Sequence, residues 1–351
     1  MKVFLIDGHS LLFRAHYAFI RNPLKTSKGQ DTSALFGFLS MFNPLIKKEN
    51  PDVVIVAFDV SRKTFRTEKY EEYKANRSEC PEEIKQQTPL ARDILRAMGY
   101  PVIELENYEA DDVIGTLAKM FGKEGHKVTI VTGDRDSLQL VDKKISVLLT
   151  KRGIRDTVLY TPEAITKEFE LEPKQLIDVK GLQGDSSDNI PGVPGVGPKT
   201  ALKLIRQFGT IEGVYENIET QKGKLKEKLI DNKDLAFLSR ELGTICLDAP
   251  VEKDLKFYER GAGSPDELLG MFTELELTQF ATDIKPTETG PSAEYIAVVG
   301  CEAFAELKAK LEKAERVAID TETTSEIPVK ANLVGISFCF EAGTAYYLPI
   351  G

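Results

Sequence analysis

Short apolar runs that end at or near an acidic residue recur in the first half of the chain. These pairs of run and acid are residues 3–6 with Asp7, residues 53–58 with Asp59, and residues 128–131 with Asp134. Apolar runs this short and this rich in β-branched residues are typical of buried parallel strands. Because ligands gather at the carboxyl ends of parallel strands, the pattern predicts that three strands bring acids to one edge of a sheet.

A second set of acids stands at the start of a predicted helix. Glu109, Asp111 and Asp112 precede the helical pattern of residues 113–118. Acids are favourable in the first turn of a helix because of the helix dipole. Taken alone, this cluster is therefore explained as a solvated N-terminal turn.

Acids from all these segments are candidates for one site. The full set is Asp7, Asp59, Glu109, Asp111, Asp112, Asp134, Asp136, Asp185 and Asp188. Carboxylates that converge on a sheet edge repel one another unless cations neutralise them, and an oxygen-only ligand set favours Mg²⁺ or Mn²⁺ over zinc. Two such ions, roughly 3.5–4 Å apart, would activate a water and stabilise the leaving oxygen in phosphodiester cleavage.

A basic and aromatic stretch separates the second predicted strand from the helix-start acids. Its cations and rings are Arg62, Lys63, Arg66, Lys69, Lys74 and Arg77, with Phe65, Tyr70 and Tyr73 between them. Cations bind phosphates and rings stack on unpaired bases, so the stretch is a candidate for binding single-stranded nucleic acid. The alternative is a solvated amphipathic helix. The formal net charge of −9 argues against indiscriminate nucleic-acid binding by the whole chain.

A glycine-rich turn follows the last pair of acids and opens a predicted helix. The residues concerned are Gly192, Gly195, Gly197, Lys199 and Thr200. Glycines let backbone N–H groups approach a phosphate at the positive end of a helix. A tight turn between packed helices is the alternative explanation.

Five motifs occur in order along the chain. They are FLIDGHSLL at residues 4–12, YKANR at 73–77, YEADD at 108–112, TGDRD at 132–136 and GDSSDNIPGVPGVG at 184–197. These motifs resemble the bacterial 5′ nuclease family, and together they are similar to the amino-terminal region of the DNA polymerase I proteins. The similarity extends from the first predicted strand to about residue 285.

The resemblance implies that the acids are divided between two metal ions. One ion would be surrounded by Asp7, Asp59, Glu109, Asp111 and Asp112, and the other would be held by Asp134, Asp136, Asp185 and Asp188. No acid of the family pattern is missing, which argues against a degenerate, non-catalytic relative. Some of the nine are expected to bind through water.

The resemblance also implies the contacts with DNA. The basic stretch resembles an arch for a single-stranded 5′ arm, with Lys74 and Arg77 near the scissile phosphate, and Arg14 resembles a further phosphate contact. The glycine-rich turn resembles a helix-hairpin-helix, which grips the duplex backbone without reading sequence. In that family K⁺ can bridge this turn to DNA. No role is assigned to His9 or His16.

The length of 351 residues predicts two or three domains. Residues 1–170 alternate between strand and helix patterns and are predicted to form a PIN-like parallel sheet flanked by helices. Residues 171–285 are predicted to be an all-α region, because helical runs such as 235–238 and 268–272 dominate there. The polar, proline-bearing residues 286–293 have the character of a linker.

The remaining residues, 294–351, resemble the first strands of a ribonuclease-H-like, 3′-5′ exonuclease-like domain. Strands are predicted at 316–323, 333–338 and 344–349. Asp320 and Glu322 alternate along the first of these, so they share one face and are a candidate for a second metal site, although such acids often face solvent. The chain stops at Gly351, before the further carboxylates of such a fold, which favours a fragment and argues against a complete second nuclease.

The sequence thus predicts a structure-selective 5′-3′ exonuclease and flap endonuclease that removes primers and flaps in DNA replication and repair. The expected partners are DNA with a 5′ flap or nick and a polymerase domain in cis or in trans, and the chain is expected to be a monomer. Two alternatives remain: a PIN-type ribonuclease, and a DNA-junction binding platform without catalysis. Scattered cysteines and the lack of a signal peptide or a long apolar run predict a reduced, cytoplasmic setting without membrane contact.

Overall fold

The computed structural model of the chain describes residues 1–151, 156–282, 284, 294–325 and 330–350. Two compact units are present, residues 1–285 and residues 286–351. The predicted linker at 286–293 lies outside the described residues.

The first unit is built on a six-stranded sheet. Its strands are β1 (Lys2–Asp7), β2 (Val53–Phe58), β3 (Val102–Glu104), β4 (Lys127–Thr132), β5 (Ile145–Thr150) and β6 (Thr157–Tyr160). They lie in the order β3-β2-β1-β4-β5-β6, and all neighbouring pairs are parallel except β5 with β6. The predicted strands at 3–6, 53–58 and 128–131 are confirmed as β1, β2 and β4, so the three strands that deliver acids are adjacent.

Helices cover both faces of this sheet. They are α1 (Gly8–Phe19), α2 (Ser33–Glu49), α3 (Phe65–Lys69), α4 (Glu82–Ala97), α5 (Ala110–Lys123) and α6 (Pro162–Phe169), and a 3₁₀ turn spans Arg135–Leu140. Alternation along β1 sends Phe4 and Ile6 into a core shared with α1, α2 and α4, and Val3 and Leu5 into a core shared with α5. Burial on both faces explains why the strands are continuous apolar runs.

Residues 171–285 are helical in the described part, as predicted. The helices are α7 (Leu176–Gln183), α8 (Pro198–Phe208), α9 (Ile211–Glu216), α10 (Gly223–Asp231), α11 (Lys233–Gly243), α12 (Pro265–Glu274) and α13 (Thr278–Ala281). α7, α8, α9 and α11 contribute to one apolar core, which includes Leu182, Leu204 and Ile205. α12 instead packs Leu268 and Phe272 against the core formed by the sheet with α1, α2 and α4, so α12 contacts the α/β part of this unit.

The second unit is a four-stranded sheet with one helix in its described part. Its elements are β7 (Glu294–Ala297), α14 (Cys301–Leu311), β8 (Ala318–Thr323), β9 (Leu333–Glu341) and β10 (Thr344–Pro349), and the strand order is β7-β10-β9-β8. The three predicted strands are present, whereas β7 and α14 were not predicted. Within the part of the chain that the structure describes, no helix is both long and apolar enough to cross a lipid bilayer.

Candidate active site

The strand ends and two helix starts surround one cavity of about 780 Å³ at the carboxyl edge of the first sheet. Seven of the nine candidate acids line it: Asp7, Asp59, Glu109, Asp111, Asp134, Asp136 and Asp185. Asp188 is adjacent, because it lines a smaller pocket together with Glu109, Asp111, Asp134 and Asp136. The structure therefore brings together eight of the nine acids, from five separate segments of the chain.

Backbone groups and one hydroxyl hold several of these carboxylates in place. Asp7 caps α1, since one of its oxygens accepts a hydrogen bond from the Ser10 N–H at 2.9 Å and the other accepts from the Thr132 hydroxyl at 2.8 Å. Asp59 accepts from the Ala110 N–H at 2.7 Å, and Asp134 accepts from the Asp136 N–H at 2.9 Å. The hydrogen bonds that cap α1 and the 3₁₀ turn of residues 135–140 thus also hold Asp7 and Asp134 at the cavity.

We call Asp7, Asp59, Asp111 and Asp134 the strand-edge acids. Burial raises the pKa of the Asp7 carboxyl to about 7, and the nearby charges of Asp59 and Asp134 add to the effect. Burial also raises the pKa of Asp111 well above its usual range, with repulsion from Asp134 and Asp7 next in importance. Concentrated negative charge is therefore costly at this edge when no cation is bound.

The donor set fits a divalent metal ion. Oδ1 of Asp111 is buried and has no hydrogen-bond partner among the described residues, which is unusual for a charged oxygen. Asp136, Asp185 and Asp188 offer three ligand oxygens within 4.8 Å of one another. An oxygen-only set of this kind suits hard cations such as Mg²⁺ or Mn²⁺.

Divalent ions are therefore expected to stabilise the folded protein. A ligand that binds only the native state contributes about 2.7 kcal/mol at a concentration one hundred times its Kd, so the Tm should rise by several degrees in millimolar Mg²⁺. The measurement is thermal unfolding at pH 7.5 with MgCl₂, compared with NaCl at equal ionic strength. An equal rise in Tm in both salts would mean that the salts only screen the repulsion between the acids, and it would contradict specific binding of Mg²⁺.

Lys74 and Arg77, the two candidates for contacts with the reacting phosphate, line the cavity wall. The Lys74 ammonium donates to Glu109 at 2.7 Å, and the Arg77 guanidinium donates to Asp188. Lys74 has a left-handed backbone (φ 56°), and its N–H donates to the Asp188 carbonyl at 2.9 Å. A non-glycine residue in this conformation costs free energy, and such strain clusters at functional sites.

Lys180 is a cation of the site that the sequence analysis missed. It lies on α7, it is buried, and its ammonium contacts Asp136 and Asp185, the latter at 2.7 Å. Burial raises the pKa of the Asp185 carboxyl, but hydrogen bonds from Lys180 and Ser187 outweigh it and hold that pKa at about 2. Its spacing of five residues before Asp185 was the available signal, but a single lysine on a helix is usually exposed to solvent.

Asp112, predicted as a metal ligand, is paired with a buried cation in this structure. Its side chain is fully buried, and both of its oxygens accept hydrogen bonds from the Arg66 guanidinium at 2.7 Å. The N–H groups of Glu109 and Cys246 also donate to it. Asp112 lines neither pocket that holds the other eight acids. With its oxygens already occupied, Asp112 serves in this structure as the counterion of Arg66.

Three of the residues predicted to contact DNA are likewise buried in this structure. Arg66 is 3% exposed and donates to the carbonyls of Leu242 and Thr244 as well as to Asp112. Tyr73 is 5% exposed, and its hydroxyl faces Glu109 at 3.3 Å, so it offers no face for base stacking. Gly192 is also buried. It lies so close to the backbone of Gly184 that there is no room for a side chain at this position.

The other candidate DNA contacts remain accessible. Arg62, Lys63, Lys69, Gly195, Gly197 and Lys199 are exposed, and Arg14 and Thr200 are half-buried. The basic stretch is not one amphipathic helix, because only the five residues of α3 are helical. Its remainder folds over the loop after α7, where Asn76 donates to the Ser186 carbonyl at 2.7 Å and Asn189 to the Glu72 carbonyl at 2.7 Å.

Asp320 and Glu322 occupy alternate positions of β8 in the second unit, and both are exposed. Among the described residues, the one group of at least three potential ligands close enough to share an ion is that of Asp136, Asp185 and Asp188. The suggested second metal site at β8 therefore has no third ligand in the described part of the chain.

Two family models match the chain. The model described as 5′-3′ exonuclease, N-terminal resolvase-like domain, matches residues 2–170, and the model described as 5′-3′ exonuclease, C-terminal SAM fold, matches residues 171–266. Together they cover most of the 351 residues.

Curated relatives carry the name DNA polymerase I. The chain is 42% identical over 351 residues to the protein of Bacillus caldotenax, a match that covers 99% of this chain and 39% of the relative. It is 44% identical over 275 residues to the protein of Bacillus subtilis, covering 78% of this chain and 31% of the relative. The chain thus spans about two fifths of these relatives' length, or less.

Solved structures share the fold of the first unit. The T5 5′-exonuclease with bound divalent metal ions (zinc) is 23% identical, with a TM-score of 0.58, and the match covers 79% of this chain and 99% of that chain. The catalytic core of Rad2 in complex with DNA substrate is 20% identical, with a TM-score of 0.53, covering 78% and 86%. At these identities the similarity establishes the architecture alone.

Proposed function

The chain belongs to the 5′-3′ exonuclease family, and from this premise we propose that it hydrolyses phosphodiester bonds where duplex DNA meets a 5′ single strand. It would act both as a 5′-3′ exonuclease and as a flap endonuclease, removing primers and flaps. The observation that carries the proposal is the cavity in which seven acids face Lys74 and Arg77. Acids without these cations would repel a phosphate, whereas the combination can hold metal ions and a phosphodiester together.

We propose that the cofactor is Mg²⁺ or Mn²⁺, with two ions per chain. The strand-edge acids with Glu109 would hold one ion, and Asp136, Asp185 and Asp188 would hold the other. When bound, such ions lower the pKa of water and offset the charge that develops on the phosphate and the leaving oxygen. The protein's own task is to fix the carboxylates, and the Ser10, Thr132 and Ala110 contacts do this before any ion arrives.

Lys74 and Arg77 would bind the scissile phosphate. Both cations already point into the cavity and are paired with Glu109 and Asp188, so they can exchange a carboxylate partner for a phosphate oxygen as the ions take over the acids. Their charge favours the more negative transition state over the ground state. The contact with Glu109 at 2.7 Å keeps the Lys74 ammonium beside the acids.

Substrate binding outside the cavity would use the exposed cations. Arg62, Lys63 and Lys69 are exposed on the basic stretch that also carries Lys74 and Arg77, and they would contact the 5′ strand. The turn before α8 would contact the duplex backbone through Gly195, Gly197 and Lys199, and K⁺ is a candidate bridge there. Because the relatives are DNA polymerase I proteins, we propose that a polymerase domain works beside this region, in cis or in trans, and that the chain is a monomer.

Cleavage of a flap substrate tests the proposal. A 5′-labelled flap duplex should be cut near the junction in Mg²⁺ and left intact in EDTA, while the same strands annealed as a blunt duplex should be cut far more slowly at that position. Single-stranded RNA serves as the competing substrate. Preferential cutting of the RNA would favour a PIN-type ribonuclease, and tight flap binding without cleavage in saturating Mg²⁺ would favour a binding platform.

A further inference from the structure

The two groups of acids differ in how far the protein itself neutralises them. Among the described residues, no Lys or Arg lies within 4.0 Å of the strand-edge acids, and the one basic neighbour is His9, whose Nδ1 is 3.6 Å from Asp59. That nitrogen accepts a hydrogen bond from the Asp59 N–H at 3.0 Å, so it does not donate a proton to the carboxylate. These four acids therefore have no internal counterion, and Glu109, which would complete their ion site, is paired with one cation, Lys74, at 2.7 Å.

The acids Asp136, Asp185 and Asp188, which we call the Lys180 triad, are in a different state. Lys180 bridges two of them, and Arg77 pairs with the third. Three negative charges are thus matched by two positive charges in direct contact. Since the affinity of a carboxylate site for a divalent ion grows with its uncompensated charge, the two groups are unequal as ion sites.

Lys180 is built into the fold, unlike a flexible surface lysine. Its side chain is 8% exposed, against 45% for Arg77. Its stem lies against Gly243 at the end of α11, where a Cβ would come within 3.0 Å of the Lys180 side chain. Its ammonium contacts carboxylate oxygens of both Asp136 and Asp185, so two charged partners hold it in place inside the fold.

We propose that Lys180 is an internal counterion of the Lys180 triad that makes this triad the weaker of the two divalent-ion sites. The inference rests on the proposed function, because it presupposes that both acid groups bind ions. An ion entering the triad has to displace the ammonium from Asp136 and Asp185 or bind beside it. An ion at the strand-edge acids meets no cation on those four carboxylates, and Lys74 competes with it only at Glu109. The first ion therefore occupies the strand-edge acids, and the occupancy of the triad depends on the divalent-ion concentration.

Mn²⁺ binding to the full chain, followed by calorimetric titration, tests this inference. The wild type should show a tight and a weak class of site. Lys180→Met should tighten the weak class by at least about tenfold, because one positive charge within hydrogen-bond distance is removed, and should leave the tight class within about threefold. Lys180→Arg, which keeps the charge, and Lys119→Met, whose ammonium pairs with Asp142 outside the cavity, should leave both classes unchanged.

The outcomes separate the two proposals. A weak class that stays the same or weakens in Lys180→Met overturns the counterion role, and Lys180→Gln provides the same comparison if the methionine variant fails to fold. Absence of Mn²⁺ binding by the wild type overturns the proposed function and the inference with it. Two classes that do not respond to Lys180, with flap cleavage intact in the wild type, overturn the inference alone.

Discussion

Asp111→Asn is expected to reduce flap cleavage by roughly 10²–10³-fold or more, comparable with the loss of one preorganised electrostatic group, while raising the stability of the ion-free protein. The two effects have one cause. Asp111 places a buried, unpartnered carboxylate oxygen among Asp7, Asp59 and Asp134. The amide removes a repelled charge, which should raise the free energy of unfolding by about 0.5–2 kcal/mol, and it also removes a ligand that the ions need.

Activity and urea unfolding of the same preparation check this prediction, with EDTA present in the unfolding series. Asp142→Asn is the matched control, because Asp142 is paired with Lys119 outside the cavity. Asp142→Asn should leave the cleavage rate unchanged and should lower the free energy of unfolding by at most about 1 kcal/mol, as expected for a partly exposed ion pair. An Asp111→Asn protein that is less stable than the wild type without ions, or that cuts at the wild-type rate, would contradict the account of the site.

Asp112→Asn is expected to lower the free energy of unfolding by about 3 kcal/mol. The buried Arg66 guanidinium would lose its bidentate counterion, and replacing one partner of a buried pair leaves an uncompensated charge. We place the effect at the lower end of the usual range because a carboxylate oxygen of Glu109 remains 3.6 Å from Arg66. The double variant Arg66→Met with Asp112→Leu should recover much of the loss, since two apolar side chains need no counterion.

Chemical unfolding of the single and double variants measures this effect. Lys69→Met is the control, because its partner Glu241 forms an exposed pair and its removal should cost less than about 1 kcal/mol. A direct metal ligand would behave differently from a structural counterion. If Asp112→Asn left the stability of the ion-free protein within about 1 kcal/mol of the wild type but lost Mn²⁺ affinity, the family-based assignment of Asp112 as a ligand would be correct.

The strands and most of the acids could be predicted because each rests on local information. A buried parallel strand is an apolar run, and the residue that follows it lies at the carboxyl edge of the sheet, so Asp7, Asp59 and Asp134 were placed by sequence alone. Very short strands could not be predicted, because three or four residues are too few to show a hydrophobic pattern. β3 has three residues and β7 has four, and neither was predicted.

The partners of the charged residues could not be predicted, because distant segments supply them. Arg66 looks like its neighbours Arg62 and Lys69 in sequence, and its burial depends on the carbonyls of Leu242 and Thr244, 176 and 178 residues away. Lys180 was overlooked for a similar reason, since Asp136 lies 44 residues before it. Which basic side chain faces the substrate and which becomes an internal counterion is a property of the packed fold.

The distance that Arg66 spans along the chain also sets when the site is completed during synthesis. A ribosome adds roughly 5–20 residues per second, so the segment that holds Leu242 and Thr244 emerges on the order of ten seconds or more after Arg66 itself. During this interval the nascent sheet can form, but the Arg66 side chain lacks two of its acceptors. The growing polypeptide is therefore expected to remain incapable of cutting nucleic acid until the end of α11 has left the ribosomal tunnel.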